Sequence, residues 1–322
     1  MKPGDVIDGY ELKWRLGAGA SAQVFLARHR ETGTDAAIKL LSDDASIGMR
    51  RVFMSEARTL ARLKHQHIIS VYGIGSDYLI TSYVEGNDLS HRLQSPLSPA
   101  LAVRIIVQIG GGLAHAHEHG IIHRDIKPGN ILIDKSDNAY LGDFGLAIMA
   151  SESRASRTGT PAYMAPEIAA AACPPGVRSD LYALGRTLLE LLLGHRLSAD
   201  PAADLAALAV SLPHRLRAAV ARAVDPIASQ RWPSVEAFIT ELQTLDLSSY
   251  NPPGVRAEVQ WSSKRFEWAG LPHTMTAVGP YMTESRYLLS NLIRDGAIPA
   301  DRASAFKSVS GYEELGWSLF CR

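Results

Sequence analysis

Near residue 95 the hydrophobic pattern of the chain changes period, and few architectures accommodate the change. Up to that point short β-like runs alternate with one helical segment. Residues 10–16 and 23–28 flank a glycine turn, residues 36–41 form a third apolar run, and residues 67–73 and 78–84 return to strand character. Between them Phe53, Leu60 and Leu63 recur at intervals of seven and three, the spacing of one helix face. From Ser98 the pattern is mostly helical. Residues 101–119 are rich in Ala, Ile and Leu, with Gly120 as a stop. Ser179 reads as the cap of a helix over 181–193 that ends at Gly194, and further helices are expected over 213–224 and 235–245. The expectation is an α+β chain in which a small sheet carrying one helix precedes a larger helical body.

The turn-rich stretch Tyr250-Asn251-Pro252-Pro253-Gly254 interrupts the pattern a second time. It suggests one domain over residues 6–247 and an extension over 255–322. The extension holds three of the five tryptophans, Trp261, Trp268 and Trp317. Val255, Ala257, Val259 and Trp261 alternate with polar residues as a half-buried strand does. Thr283 is placed to cap a helix over 284–294, so the extension reads as a small α+β unit. A formal net charge of +0 argues against a chain built as a whole to bind nucleic acid or anionic membrane. The two cysteines, Cys173 and Cys321, are too few and too far apart for a metal cage or disulfide framework. They read as reduced thiols. The N-terminus lacks an apolar signal stretch, and runs such as 188–193 fall far short of the ~20 residues of a membrane span. A cytoplasmic protein is expected.

Residue types suited to handling phosphate recur along the chain. Leu16-Gly17-Ala18-Gly19-Ala20-Ser21-Ala22-Gln23-Val24 reads G-x-G-x-x-A-x-V between two strand-like runs. Glycines let backbone approach phosphate closely. No Gly-Lys-Ser/Thr follows, so this is not a Walker A loop, and a strand rather than a helix follows, unlike a dinucleotide fold. Lys39 sits inside the next apolar strand run. It is either a snorkelling surface lysine or a cation for phosphates held by a carboxylate, and Glu56 lies 17 residues later on the predicted helix. His123-Arg124-Asp125-Ile126-Lys127-Pro128-Gly129-Asn130 and Asp143-Phe144-Gly145 follow.

These motifs, with Ala165-Pro166-Glu167, occur in the order and at the spacings of the protein kinase family, and the chain most resembles the Hanks-type (eukaryotic-like) serine/threonine kinases of bacteria. The resemblance covers residues 6–245. It implies a two-lobed protein kinase fold, with a sheet-plus-helix N-lobe and a mainly helical C-lobe, and with ATP between them. It also implies transfer of the γ-phosphoryl group to Ser/Thr hydroxyls of protein substrates. Phosphoryl transfer rests on positioning and charge stabilisation. Asp125 would orient the acceptor hydroxyl, Lys127 would neutralise the γ-phosphate, and Lys39, held by Glu56, would clamp the α- and β-phosphates. Asn130 and Asp143 would supply oxygen ligands to Mg²⁺, with Mn²⁺ as a substitute. Leu16, Val24, Ala37 and Leu132 would sandwich the adenine and the glycine loop Gly17–Ala22 would cover the phosphates. Thr81 would guard the pocket, Ser82 and Val84 would offer backbone to the base, and Asp88 would reach the ribose. Asp88 reads equally as a loop residue. Lys127 and the Gly159-Thr160-Pro161-Ala162-Tyr163 segment have the Ser/Thr form, with Thr160 shaping the acceptor site against Asp125 and Lys127. Asp180 would brace the catalytic loop, Glu167 would pair with Arg231, and Leu60, His123 and Phe144 would stack.

Arg124 beside Asp125 implies control by phosphorylation of the activation loop, with Ser156 and then Thr158 as autophosphorylation candidates. Of His115, His117, His119 and His123, only His115 and His119 share a helix face, and no carboxylate set or cysteine completes a metal site. A partner or autoregulatory contact is an open role for the extension. Two rivals differ in what they require. A pseudokinase would lack one of Lys39, Asp125, Asn130 or Asp143, and a small-molecule phosphotransferase would lack the segment 159–167.

Overall fold

The computed structural model describes residues 1–18, 22–42, 44–93, 96–144, 148–149, 159–198, 200–208, 212–247 and 250, and three strands beyond residue 261. The chain divides into two compact units, Met1–Ala257 and Glu258–Arg322.

In the first unit, β1 (Val6–Ile7), β2 (Tyr10–Ala18), β3 (Ala22–His29) and β4 (Asp35–Leu41) precede α1 (Ile47–Ala61), and β5 (Val71–Ile74) and β6 (Tyr78–Ser82) follow it. The six strands form one sheet in the order β1-β2-β3-β4-β6-β5, with all neighbours antiparallel. Side chains alternate across a strand, so β4 divides its residues between two faces. Ala36, Ile38 and Leu40 join Leu12, Phe25, Ala27 and Ile80 in one apolar cluster. Ala37 and Lys39 face the other way, where Leu41 and Leu79 meet Phe53, Ala57 and Leu60 of α1 in the larger core. Helix α1 begins well before the expected residue 53. Ser46 caps it, its Oγ accepting from the Met49 N–H at 3.2 Å, and the exposed first turn carries too little apolar periodicity to announce itself. Residues 67–70 are not a strand; Ile68 makes a lone bridge to Leu141.

Beyond β7 (Gly86–Asp88) the chain is mainly helical. Helix α2 (Pro99–Glu118) is capped by Ser98 and followed by Gly120 in the left-handed region, as expected. It buries Ala102, Ile106, Ile109, Leu113 and Ala116, a four-three repeat that faces the core. Among the described residues it is the helix that by length and composition alone could cross a membrane. Its packing against neighbouring helices marks it as the core helix of this lobe. Short strands β8 (Ile121–Ile122), β9 (Ile131–Asp134), β10 (Ala139–Leu141) and β11 (Ile148–Met149) carry the loops that follow. Then come α3 (Pro166–Ala169), α4 (Val177–Leu193), α5 (Pro201–Ala207), α6 (His214–Ala223) and α7 (Val235–Gln243). Ser179 does not cap α4. The N-cap is Gly176, and Ser179 lies in the first turn, where its Oγ accepts from Gly176 N–H at 2.9 Å and donates to Gly176 O at 2.7 Å.

Every residue of α4 from Asp180 to Leu192 is buried. A helix buried on all sides is the centre of its lobe, and each polar side chain on it requires a partner. Arg231 is likewise buried and is held bidentately by Glu167 at 2.8 and 2.7 Å, with further bonds to the carbonyls of Asp225 and Arg178.

The second unit contains β12 (Ser262–Trp268), β13 (Leu271–Val278) and β14 (Ser318–Cys321) as an antiparallel sheet in that order. The strand expected over 255–261 and the helix expected over 284–294 lie outside the described residues.

Candidate active site

Asp125 is the focus of the site. It lies in the loop between β8 and β9, and its carboxylate accepts from four donors. Lys127 Nζ donates to Oδ2 at 2.7 Å and Asn130 Nδ2 to Oδ2 at 2.9 Å. Thr160 donates to Oδ1 through its hydroxyl at 2.8 Å and its N–H at 3.1 Å. Burial alone would raise the Asp125 carboxyl. The hydrogen bonds from Lys127 and Thr160, the Lys127 charge and the Asn130 amide outweigh it and hold the group below the usual carboxylate range. Lys127 also donates to Thr160 Oγ at 2.8 Å, closing a triangle of three functional groups.

The loop is held from beneath by α4. Asp180, fully buried, accepts from the N–H of His123 and of Arg124, both at 2.8 Å, and from His117 Nε2 at 2.8 Å. Arg124 has φ +72°, a conformation side chains rarely adopt, and the Asp180 bond to its N–H fixes that strained backbone. His123 Nε2 donates to Gly142 O at 3.1 Å, its Nδ1 accepts from Asp125 N–H at 3.3 Å, and its ring lies 4.6 Å from that of Phe144. Leu60 and Phe144 belong to the same core. Gly159, at φ +118°, lets the segment after it approach the loop, because a Cβ there would sit 2.7 Å from Arg124 O.

A second cluster comes from the sheet. Lys39 Nζ donates to both carboxylate oxygens of Glu56 at 2.8 Å and lies 3.9 Å from Asp143 Oδ1. Burial pushes the Glu56 carboxyl up, and the Lys39 charge opposes it. Asp143 has φ +53° and a carboxylate that is 52% exposed.

Strand register assembles a third group. Cross-strand partners share a face, and the pairs Gly17↔Val24, Val24↔Lys39 and Ala37↔Thr81 put all five on the face that carries Lys39. Thr81 Oγ also donates to Ala37 O at 3.3 Å. Leu16 is exposed, Ala18 pairs with Gln23, and Ala22 is buried at the start of β3. Leu132 stands opposite Asp88 across β9 and β7. The Ser82 N–H is engaged by Ser70 O at 2.8 Å, and Val84 is half-buried just beyond β6. Asp88 is occupied locally: it caps the 3-10 turn Leu89–Arg92 through Ser90 and pairs with His91 at 2.8 Å. Gly19, Ala20, Ser21, Ser156 and Thr158 lie outside the described residues.

The donor set suits a hard divalent cation. The Asn130 amide nitrogen is engaged by the Asp125 carbonyl at 2.8 Å and by its carboxylate, so the amide oxygen is the atom it has to offer. Asp143 adds an accessible carboxylate. Among the described residues no group of three or more His, Cys, Asp or Glu side chains gathers around a common point, so an ion here would take its other ligands from phosphate oxygens and water.

Several residues of the site have roles that were not assigned to them from the sequence. His117 shares Asp180 with the loop, Tyr163 donates to Glu190, and Arg186 reaches Ala162 O. Arg186 and Glu190 are charged residues within the strongly apolar stretch 181–193, and that was the signal available.

A curled antiparallel sheet with one helix, joined to a helical lobe whose central helix supports the Asp125 loop, is the two-lobed protein kinase fold. The protein kinase domain family model matches residues 10–249, and the chain belongs to that family. It is similar to the serine/threonine-protein kinase PrkC of Bacillus subtilis, with 38% identity over 197 residues, 58% of this chain and 30% of the relative. It is similar to PknB of Mycolicibacterium smegmatis, with 36% identity over 213 residues, 60% of this chain and 33% of the relative. CBL-interacting protein kinase 4 of Oryza sativa is 34% identical over 203 residues, 58% of this chain and 44% of the relative. These matches therefore span less than half of the curated relatives' own length.

Proposed function

We propose that this chain is a serine/threonine protein kinase that transfers the γ-phosphoryl group of ATP, with Mg²⁺, to hydroxyls of proteins. The observation that carries the reading is the convergence of Lys127, Asn130 and Thr160 on the Asp125 carboxylate. An anionic carboxylate at hydrogen-bond distance from a threonine hydroxyl is placed to orient an incoming hydroxyl of the same kind and accept its proton. Lys127 bridges that carboxylate and the acceptor side, where negative charge moves during transfer. Lys39, held by Glu56, positions the other phosphates. Asn130 and Asp143 would hold Mg²⁺, which would neutralise phosphate charge. Residues 6–247 form the catalytic domain in this reading and 255–322 a separate extension, free to take a regulatory or partner-binding role. Ser156 and Thr158 are the proposed autophosphorylation sites, and the cytoplasm the proposed compartment.

The test is transfer of labelled γ-phosphate from ATP with Mg²⁺, to the protein itself and to myelin basic protein, with Asp143→Asn alongside. Label on the wild type, reduced at least about a hundredfold in the variant, is the expected result. Equal labelling of both, or none on the wild type, would overturn the assignment.

A further inference from the structure

Helix α4 carries a buried arginine that the transfer chemistry does not use. The Arg186 side chain is 1% exposed, at the centre of the lobe. Its guanidinium makes three attachments. Nε donates to Ala162 O at 3.0 Å, one Nη donates to Ser198 O at 3.3 Å, and the same Nη pairs with Asp204 of α5 at 2.9 Å. Asp204 is itself 4% exposed and accepts from Ser198 N–H at 3.0 Å. One turn further along α4, Glu190 accepts from the Tyr163 hydroxyl. Adjacent residues 162 and 163 are thus fastened to one rigid helix at two points, one through backbone and one through a side chain.

What is fastened matters. Ala162 and Tyr163 belong to the 3-10 turn Pro161–Tyr163, whose N-cap is Thr160. Thr160 is the residue that donates to Asp125. A displacement of the Ala162 carbonyl therefore passes within two residues to the hydroxyl that faces the Asp125 carboxylate. Burying a guanidinium is costly, and exchanging a buried ion pair for apolar side chains is often neutral for stability. Stability alone gives little reason for a charge at this position, whereas a fork that bonds a carbonyl, a second carbonyl and a carboxylate together supplies geometry.

We propose that Arg186, oriented by Asp204, is a positioning residue that sets the acceptor-binding segment 160–163 and thereby the KM for the protein acceptor. The inference rests on the kinase reading. Two variants of the full chain test it: Arg186→Lys, which keeps a charge for Asp204 but not the fork, and the double variant Arg186→Met/Asp204→Leu, which removes the charges together. Steady-state transfer to myelin basic protein would be measured with ATP and acceptor varied separately, beside thermal melts. Both variants are expected to fold with a lowered melting temperature, because Ala162 O and Ser198 O lose donors and the double variant also strips Ser198 N–H of its acceptor. They should keep the KM for ATP and raise the acceptor KM at least about tenfold, within the roughly hundredfold penalty that a small displacement of a positioning group can carry. A folded variant of either kind with the wild-type acceptor KM would overturn the inference while leaving the kinase reading intact. So would equal rises in both KM values. Absence of transfer by the wild type would overturn both.

Discussion

Their surroundings leave the Asp125 carboxylate charged and the adjoining His123 ring uncharged. Donors around Asp125 keep it anionic. Burial keeps His123 neutral, lowering its pKa from 6.5 more than the nearby Asp180 charge and the Gly142 carbonyl raise it. His65 is lowered too, first by burial and then by the neighbouring imidazoles of His115, whose ring lies 5.5 Å away, and His67; Glu118 opposes this. A histidine that resists protonation when folded takes up protons more readily when unfolded. Its contribution is therefore neutral above about pH 6.5 and destabilising as pH falls through and below that value. Asp125 and Asp180 act in a separate window, because their lowered values favour the fold above pH 3.8 and that benefit fades only as pH falls through it. The histidine contribution to the melting temperature should accordingly be level from pH 8 to pH 7 and decline toward pH 5.5, opposed by Glu56 and Glu190, whose carboxyls are raised by burial and favour the fold as pH falls. His65→Asn keeps an acceptor for the His67 N–H, which His65 Nδ1 now receives at 3.1 Å, and should flatten that decline. Melting curves across the range check this. The imidazole cluster itself was not legible in sequence. His115 and His119 could be paired by helix spacing, whereas His65 and His67 reach them only because the loop after α1 packs on α2.

At the scale of elements, α4 does most of the organising. Its apolar residues were readable from sequence because they are numerous and close together. Its four buried polar residues were not equally so. Asp180 was expected to brace the Asp125 loop, since the motif around it indicated as much, and it does. Arg186 and Glu190 have no such motif, and their partners lie 12 to 27 residues away along the chain. Asp180→Ala tests how far the loop depends on this helix. It would leave two backbone N–H groups and His117 without their acceptor, a loss of about 3–5 kcal/mol for a buried, hydrogen-bonded charge. Denaturant unfolding monitored by tryptophan fluorescence would show the midpoint shift. A loss under 1 kcal/mol would mean that the loop keeps its shape without the brace. Element boundaries were misread where capping groups lay outside the hydrophobic pattern, as at Ser46 and Gly176.

At the scale of the whole molecule, the Met1–Ala257 unit holds both lobes and every described site residue, and its larger core runs from α1 through α2 and α4 to α7. The sheet has a second apolar cluster on its other face, but it also places Leu41 and Leu79 in the larger core, and these shared side chains couple the two lobes. A chain ended after Ala257 should melt in a single step, at the temperature of the first unit in the full chain, and should still transfer phosphate to itself. Calorimetry and autophosphorylation of the two lengths check this. Aggregation or loss of melting in the shorter chain would show that the extension is part of the fold.

The sequence by itself determined which chemistry-bearing residues the chain has, their order, and the periodicity that makes one region sheet and another helix, because these depend on residue type and local spacing. That was enough to expect Lys39 with Glu56, and the resemblance to the protein kinase family implied Thr160 with Asp125 and Glu167 with Arg231. Tertiary structure decided which lone pairs and protons those groups have left. It turned the Asn130 nitrogen toward Asp125, committed Asp88 to a turn, brought His117 to Asp180, and gave Arg186 its grip on Ala162. The physical reason is that a buried polar group must find its partner in space, and that partner is set by how the elements pack rather than by its distance along the chain.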